Sequence, residues 1–229
     1  MTMLLEVSGL EASYGAAKVL FGMEFSVPAG KVVTLMGRNG MGKTTTIRAL
    51  LGMISADGRR IVFDGDDVTG RPSYRVAQAG LGLVPEGRQI FPTLSVEENL
   101  VATSANRHGA TPGWSLERVY EFFRACASVG RTWATSCRAA SSRCSPSAAL
   151  MTNPKLLILD EATEGLAPLV RAEIWTCLER LKGEGQSILV VDKECRCAGK
   201  ARRRPCRGGE GTGGLVGDIR GTDGRRHHS

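Results

Sequence analysis

The stretch from Gly37 to Thr45, GRNGMGKTT, matches the pattern G-x-x-x-x-G-K-[ST] of a phosphate-binding loop. It follows a short apolar run, KVVTLM, and it opens into TTTIRALLG, so it lies between a predicted buried strand and a predicted helix. Glycines in such a loop let successive backbone N–H groups converge on phosphate oxygens, and the helix N-terminus adds the positive end of its dipole. The sequence therefore predicts an α/β protein that binds a nucleotide through its phosphates, with a chance glycine-rich turn as the alternative.

The predicted phosphate loop assigns roles to individual residues. Lys43 is expected to reach the β- and γ-phosphates, and Thr44 is expected to place its hydroxyl on Mg²⁺. The other predicted nucleotide contacts in the loop are Gly37, Asn39, Gly40, Gly42 and Thr45.

Two carboxylates follow a second apolar run, LLIL at 156–159, about 115 residues after the loop. Asp160 is expected to hold Mg²⁺ directly or through water, and Glu161 is expected to polarise the attacking water. Taken alone, the two acids are equally consistent with a strand end that faces solvent. Together with the phosphate loop they predict a nucleotide-hydrolysing site.

Apolar runs and turn residues predict the order of the elements. Strands are expected at 3–8 and 18–27, in KVVTLM and in the later runs RRIVFDGDDV, LGLVPE, LLIL and QSILVV. Helices are expected after the loop as far as Gly52, from the capping box of Ser95 and Glu98, from Ser115, and from Pro168 to Gly183.

Two segments differ in composition from the rest of the chain. Residues 124–149 hold four arginines and no acidic residue, and residues 194–229 hold nine basic residues against four acidic ones. Together they carry more than the whole net charge of +7 and six of the seven cysteines. Neither segment shows helical or strand periodicity, so we expect disrupted structure over 124–149 and an irregular basic tail over 194–229.

The ordered motifs resemble the ATP-binding subunits of ABC importers, most closely those of branched-chain amino-acid uptake systems. The motifs that carry the resemblance are Tyr14, GRNGMGKT, VPEGRQIFPTLSVEENL, LLILDE and EGLAP, and the resemblance covers 3–123 and 150–193. It implies an α/β P-loop NTPase (ABC ATPase) core with an N-terminal antiparallel β subdomain and a helical subdomain at about 95–150. The ATP-binding domain would then be residues 1–193.

The resemblance also implies roles for residues outside the loop. The aromatic ring that stacks on adenine maps to Tyr14, and the glutamine that senses Mg²⁺ and touches the membrane subunit maps to Glu86. Lys193 stands where the family has its switch histidine, and the LSGGQ or LSGGE signature is replaced by TSCRAASSRCSP. Because the phosphate loop is intact, Mg·ATP binding is expected. Because the signature is absent, hydrolysis is expected to be impaired.

The genetic code offers an origin for the two odd segments, namely translation in a shifted frame. The first segment contains TSCRAASSRC, which begins at Thr135. If the last base of each codon is joined to the first two bases of the following codon, this stretch can encode QLSGGEQQM. Read with the opposite offset, residues 194–198 can encode NVDAL and residues 211–224 can encode GQVVWSGTSGALMA, which resembles the usual end of the family. Uninterrupted codons without this alternative reading in the gene would contradict the hypothesis.

The resemblance further implies partners and a location. Two membrane permease subunits, a sister or identical ATP-binding subunit and, indirectly, a periplasmic amino-acid-binding protein are expected, with the chain on the cytoplasmic face of the membrane. The sequence shows neither a signal peptide nor an apolar run near the roughly 18 residues of a membrane span. Nucleic acid is not an expected partner, because the basic tail lacks interleaved aromatic residues. A binding-only nucleotide module and a non-transport ATPase with a nucleic-acid-binding tail are the alternatives.

Overall fold

The computed structural model describes residues 2–37, 40–57, 60–86, 91–123, 138–161, 166–192 and 216–218. An antiparallel sheet begins the chain. Its strands are β1 (Met3–Tyr14), β2 (Ala17–Pro28), β4 (Ala56–Asp57), β5 (Arg60–Phe63) and β6 (Asp66–Asp67). They pair in the order β2-β1-β5-β6, with β4 also on β1, and the predicted N-terminal antiparallel region is thereby confirmed.

A second sheet forms the core and is parallel throughout. Its strands are β3 (Val32–Met36), β7 (Leu81–Val84), β8 (Leu156–Asp160), β9 (Ser187–Asp192) and β10 (Val216–Asp218), in the order β10-β3-β9-β8-β7. Every residue of β8 is buried, as expected for a strand covered on both faces. Because the carboxyl ends of parallel strands share one edge, the residues after β3, β7 and β8 meet there.

Six helices occur in the described residues. They are α1 (Lys43–Leu50), α2 (Ser73–Ala79), α3 (Val96–Ala102), α4 (Leu116–Phe122), α5 (Arg138–Met151) and α6 (Pro168–Gly183). The capping box predicted for α3 is present, since Ser95 N–H donates to Glu98 at 2.7 Å and Glu98 N–H donates to Ser95 Oγ at 3.2 Å. Ser115 likewise caps α4. The expected P-loop α/β fold is therefore present, with short helices α3 and α4 packed beside α5.

Helix α5 differs from the sequence expectation, because it lies largely inside the stretch expected to be disrupted. Sequence periodicity did not predict it, and Pro146 stands inside it. Its C-terminal half is buried, including Ser147, Leu150 and Met151, so tertiary contacts stabilise it where local pattern does not. Residues 124–137 of the same stretch lie outside the described residues.

Strand β10 is a second difference. An irregular tail was expected over 194–229, yet Val216–Asp218 pair in parallel with Thr34–Met36 at the edge of the core sheet. Strand pairing uses backbone groups, so a short edge strand needs no alternating pattern of side chains. The remaining residues of the tail lie outside the described part of the chain.

Gly52, which ends the turn after α1, provides a test of the fold. Its φ is +63°, and an added Cβ would lie 2.2 Å from the carbonyl oxygen of Arg71. Gly52→Ala is therefore expected to lower the free energy of unfolding by about 2–4 kcal/mol, measured by urea denaturation. Gly65 is the matched control because its φ is +85° and nothing lies within 4 Å of the added Cβ. Gly65→Ala should cost only about 1–2 kcal/mol, and equal losses would contradict the predicted clash.

Candidate nucleotide-binding site

The two glycines described in the loop between β3 and α1 have backbone angles that suit a phosphate cradle. Gly40 and Gly42 have φ of +81° and +82°, a conformation that L side chains rarely adopt. A Cβ on Gly42 would also lie 2.7 Å from Leu20 Cδ2, so the loop passes close to β2. Asn39, a predicted contact, lies outside the described residues, whereas Gly37 and Thr45 are described at the two ends of the loop.

The Lys43 side chain is buried at the first turn of α1, with 4% of it exposed. Its Nζ donates to the Gly37 carbonyl oxygen at 2.9 Å and lies 3.3 Å from Glu161 Oε1. The ammonium therefore bridges the beginning of the phosphate loop and the residue that follows β8. This arrangement joins the two sequence motifs that were predicted to form one site.

Asp160 is a buried carboxylate at the carboxyl end of β8, with 4% of the residue exposed. Its Oδ1 has no hydrogen-bond partner among the described residues, and its carboxylate accepts a hydrogen bond from the Thr44 side chain. Burial raises the pKa of Asp160, and the nearby Glu86 carboxylate raises it further, against the opposing effects of Thr44, Arg48 and Lys43. A buried anion with an unsatisfied oxygen is suited to a bound cation.

The Glu161 backbone is held in a conformation that is uncommon for a residue with a side chain. Its φ is +45°, and its N–H donates to the Val191 carbonyl oxygen at 3.0 Å. This backbone hydrogen bond to β9 fixes the position of the Glu161 Cα and hence the origin of its side chain. The side chain is 9% exposed. Neither the backbone conformation nor the ion pair to Lys43 could be read from the sequence.

Most of these groups line one cleft of about 440 Å³, and Asp160 lies outside its lining. The residues that line it are Val19, Gly40, Gly42, Lys43, Thr44, Thr45, Glu86 and Glu161. The structure thus brings together most of the predicted site residues. It also adds Val19 of β2, which sequence reasoning missed because its only signal is proximity in space to the loop.

Among the described residues that the sequence predicted for the site, Tyr14, Gly37 and Asp160 do not line the cleft. Tyr14 ends β1, pairs with Ala17 and is 44% exposed, and it is not one of the described residues that line the cleft. Its stacking on adenine therefore stays a prediction. Lys193, at the switch-histidine position, lies outside the described residues.

The buried charge of Asp160 is expected to cost stability. A carboxyl whose pKa is higher in the folded than in the unfolded protein loses folding stability as the pH rises through that interval. Asp160→Asn should therefore raise the free energy of unfolding and the Tm at pH 7, and the gain should shrink toward pH 4. Scanning calorimetry at the two pH values measures both effects.

The control for Asp160→Asn is Asp66→Asn, since Asp66 is exposed on the short strand β6. That change should stay within about 0.5 kcal/mol of the parent at both pH values. A Tm of Asp160→Asn equal to or below that of the parent at pH 7 would contradict the proposed cost of the buried charge.

The parallel sheet, the glycine loop opening into a helix and the buried carboxylates at the neighbouring strand end define a P-loop nucleotide-binding protein. The comparison with protein families agrees with this class and narrows it. The model of the ABC transporter family matches residues 20–164, so the chain belongs to the ATP-binding subunits of ABC transporters. The predicted family, the fold class and the assignment as an ATPase are thereby confirmed.

Named relatives include both an importer and an exporter component. The chain is 31% identical over 202 residues to the high-affinity branched-chain amino acid transport ATP-binding protein BraG of Pseudomonas aeruginosa, covering 88% of this chain and 87% of the relative. It is 32% identical over 199 residues to the lipopolysaccharide export system ATP-binding protein LptB of Haemophilus influenzae, covering 84% and 81%. The two sequence identities are nearly equal, so they do not indicate which substrate is transported.

The solved structures agree on the fold. A crystal structure of a nucleotide-free ATP-binding cassette from an ABC transporter superposes with a TM-score of 0.72 at 25% identity, covering 83% of this chain and 81% of that one. ABC ATP-binding subunits bind ATP or ADP and work as dimers with membrane permease components. Of the helices that the structure describes here, none is long and apolar enough to cross a membrane.

Proposed function

We propose that this chain is the ATP-binding subunit of an ABC importer of branched-chain amino acids. The observation that carries the nucleotide-binding part is the convergence of Lys43, Thr44, Asp160 and Glu161 at one edge of the parallel sheet. The importer assignment is supported by the relative from Pseudomonas aeruginosa and by the VPEGR and FPTLSVEENL motifs.

Each residue of the cleft has a proposed role toward ATP. Lys43 and the N–H groups of the glycine loop bind the phosphates, Tyr14 stacks on the adenine, and Glu161 orients the attacking water. A buried lysine is effective here because its attraction to phosphate is screened less than it would be in water.

The residues present fit a magnesium ion. Asp160 Oδ1, which has no hydrogen-bond partner within the described part of the chain, and the Thr44 hydroxyl are potential oxygen ligands beside the cleft, and the Glu86 carboxylate is nearby. No group of three His, Cys, Asp or Glu side chains in the described residues forms a metal site of its own. This is expected of Mg²⁺, which one or two protein ligands hold together with nucleotide phosphates and water. Bound Mg²⁺ would supply neutralisation of phosphate charge.

Hydrolysis is proposed to be weak, because one half of the site has to come from another subunit. The resemblance to ABC importers implies that the signature helix of one ATP-binding subunit closes over the ATP held by the other. Here α5 begins at Arg138, within the segment where the signature is missing. The chain is therefore proposed to bind Mg·ATP better than it turns it over.

The proposed complex contains a second ATP-binding subunit, identical or a sister chain, and two membrane permease subunits. The chain would lie on the cytoplasmic face of the membrane, with a periplasmic amino-acid-binding protein as an indirect partner. Lipopolysaccharide export is the second candidate function, because the exporter relative is equally similar.

Two measurements test the proposal. Isothermal titration calorimetry should detect ATP binding that strengthens with Mg²⁺, and no binding of ATP would refute the nucleotide site. Co-purification with permease subunits then distinguishes amino-acid import from lipopolysaccharide export. The chain should be retained by the permease pair of a branched-chain amino-acid importer and not by that of a lipopolysaccharide exporter, and the reverse result would favour the export function.

A further inference from the structure

The ion pair between Lys43 and Glu161 is the feature that the proposed function leaves unexplained. Both side chains are at least nine-tenths buried, and their charged atoms are 3.3 Å apart. A lysine ammonium at this place in a phosphate loop is the group expected to contact nucleotide phosphate. The Lys43 ammonium therefore has two possible anionic partners, the Glu161 carboxylate and a nucleotide phosphate.

The protein anion is held in place by its backbone. Glu161 has a φ of +45°, and its N–H donates to Val191 O, so its backbone is tied to β9. On the other side, the contact of Lys43 Nζ with Gly37 O at 2.9 Å holds the ammonium at the beginning of the loop. Lys43 lies after β3 and Glu161 lies after β8, and both of these strands are neighbours of β9 in the sheet. The sheet therefore holds the two charges close together.

We infer that the Glu161 carboxylate is an internal counter-ion of Lys43 that nucleotide phosphate has to displace, so that Glu161 sets nucleotide affinity in addition to its role toward water. This inference rests on the proposed nucleotide-binding function. Phosphate and carboxylate both make charge-assisted hydrogen bonds to an ammonium, and two anions that approach the same ammonium repel each other, so the phosphate contact weakens the contact with Glu161. Binding therefore yields only the difference between two strong contacts.

Removing the internal counter-ion should have two linked effects. In Glu161→Gln the neutral amide keeps the size of the side chain, but it leaves the buried Lys43 charge without this partner. The variant should therefore have a lower Tm than the parent without nucleotide, because breaking a buried ion pair by neutralising one partner is destabilising. It should also bind nucleotide about tenfold more tightly, because phosphate no longer competes with the carboxylate.

The probe is ADP in the presence of EDTA, measured by isothermal titration calorimetry and by thermal shift. ADP excludes any effect of hydrolysis on apparent affinity, and EDTA excludes any effect of Glu161 through a bound cation. The expected result for Glu161→Gln is a lower Tm without ligand, a larger rise in Tm with ADP and a Kd about tenfold lower. Glu161→Ala carries the same expectation if the Gln variant does not fold.

The matched control is Glu86→Gln, because Glu86 lines the same cleft and also carries one negative charge. If the cleft merely repels phosphate through its total charge, the two Gln variants will tighten ADP binding equally, and the inference is overturned. An unchanged or weaker affinity of both Glu161 variants overturns it as well. If the parent protein binds no ADP or ATP, the proposed function itself fails, which is a different outcome.

Discussion

Replacing Lys43 by Ala is expected to weaken ATP binding about 100-fold or more. The Lys43 side chain is only 4% exposed, so its ammonium meets phosphate in a site where water screens the attraction poorly. The substitution also leaves the Glu161 carboxylate buried in the same cleft without the Lys43 charge, which disfavours a bound anion. Isothermal titration calorimetry with Mg·ATP measures the loss directly.

The control for this lysine is Lys18→Ala. Lys18 forms an ion pair with Glu11 at 2.5 Å on the exposed surface of the antiparallel sheet, where 41% of its side chain is accessible. Its loss should leave ATP affinity within about twofold of the parent, since an exposed pair has little energetic weight. An affinity of Lys43→Ala equal to that of Lys18→Ala would contradict the phosphate site and the function built on it.

The sequence predicted those elements whose cause is local. The apolar runs LLIL and QSILVV predicted β8 and β9, because a strand covered on both faces needs consecutive apolar residues. Ser95 and Glu98 predicted the beginning of α3, because their mutual hydrogen bonds lie within one turn. The pattern G-x-x-x-x-G-K-[ST] predicted that Lys43 and Thr44 belong to the nucleotide site, because the motif lies within one short window of sequence.

The elements that the sequence did not predict depend on tertiary contacts. Helix α5 has no amphipathic pattern, and its buried residues, such as Leu150, belong to a cluster built with α3, α4 and the core sheet. Strand β10 is defined by backbone pairing to β3. The contact of Lys43 with Glu161 joins residues more than 100 positions apart in the chain. Each of these follows from the assembled fold and has no signature in a short window.

Restoring the missing signature is the change with the largest expected effect on activity. The segment 136–144, SCRAASSRC, would be replaced residue for residue by QLSGGEQQM, the alternative reading of the same bases. We expect the rate of ATP hydrolysis to rise by about 100-fold or more, because backbone N–H groups at a glycine-rich helix N-terminus would then be available to the phosphates held by a second copy. Phosphate release measures the rate, and light scattering measures ATP-dependent dimerisation.

A scrambled replacement, QGSLGEQMQ, separates the motif from its composition. It has the same amino-acid composition over the same nine positions but in a different order, so any gain that comes only from replacing arginine, cysteine and serine would appear in both variants. The restored chain should exceed the scrambled one in turnover and in dimer formation, while both bind ATP with similar affinity through Lys43 and Thr44. Equal turnover of the two variants would show that the missing signature is not what limits hydrolysis, and the limit would then lie within the cleft of the chain itself.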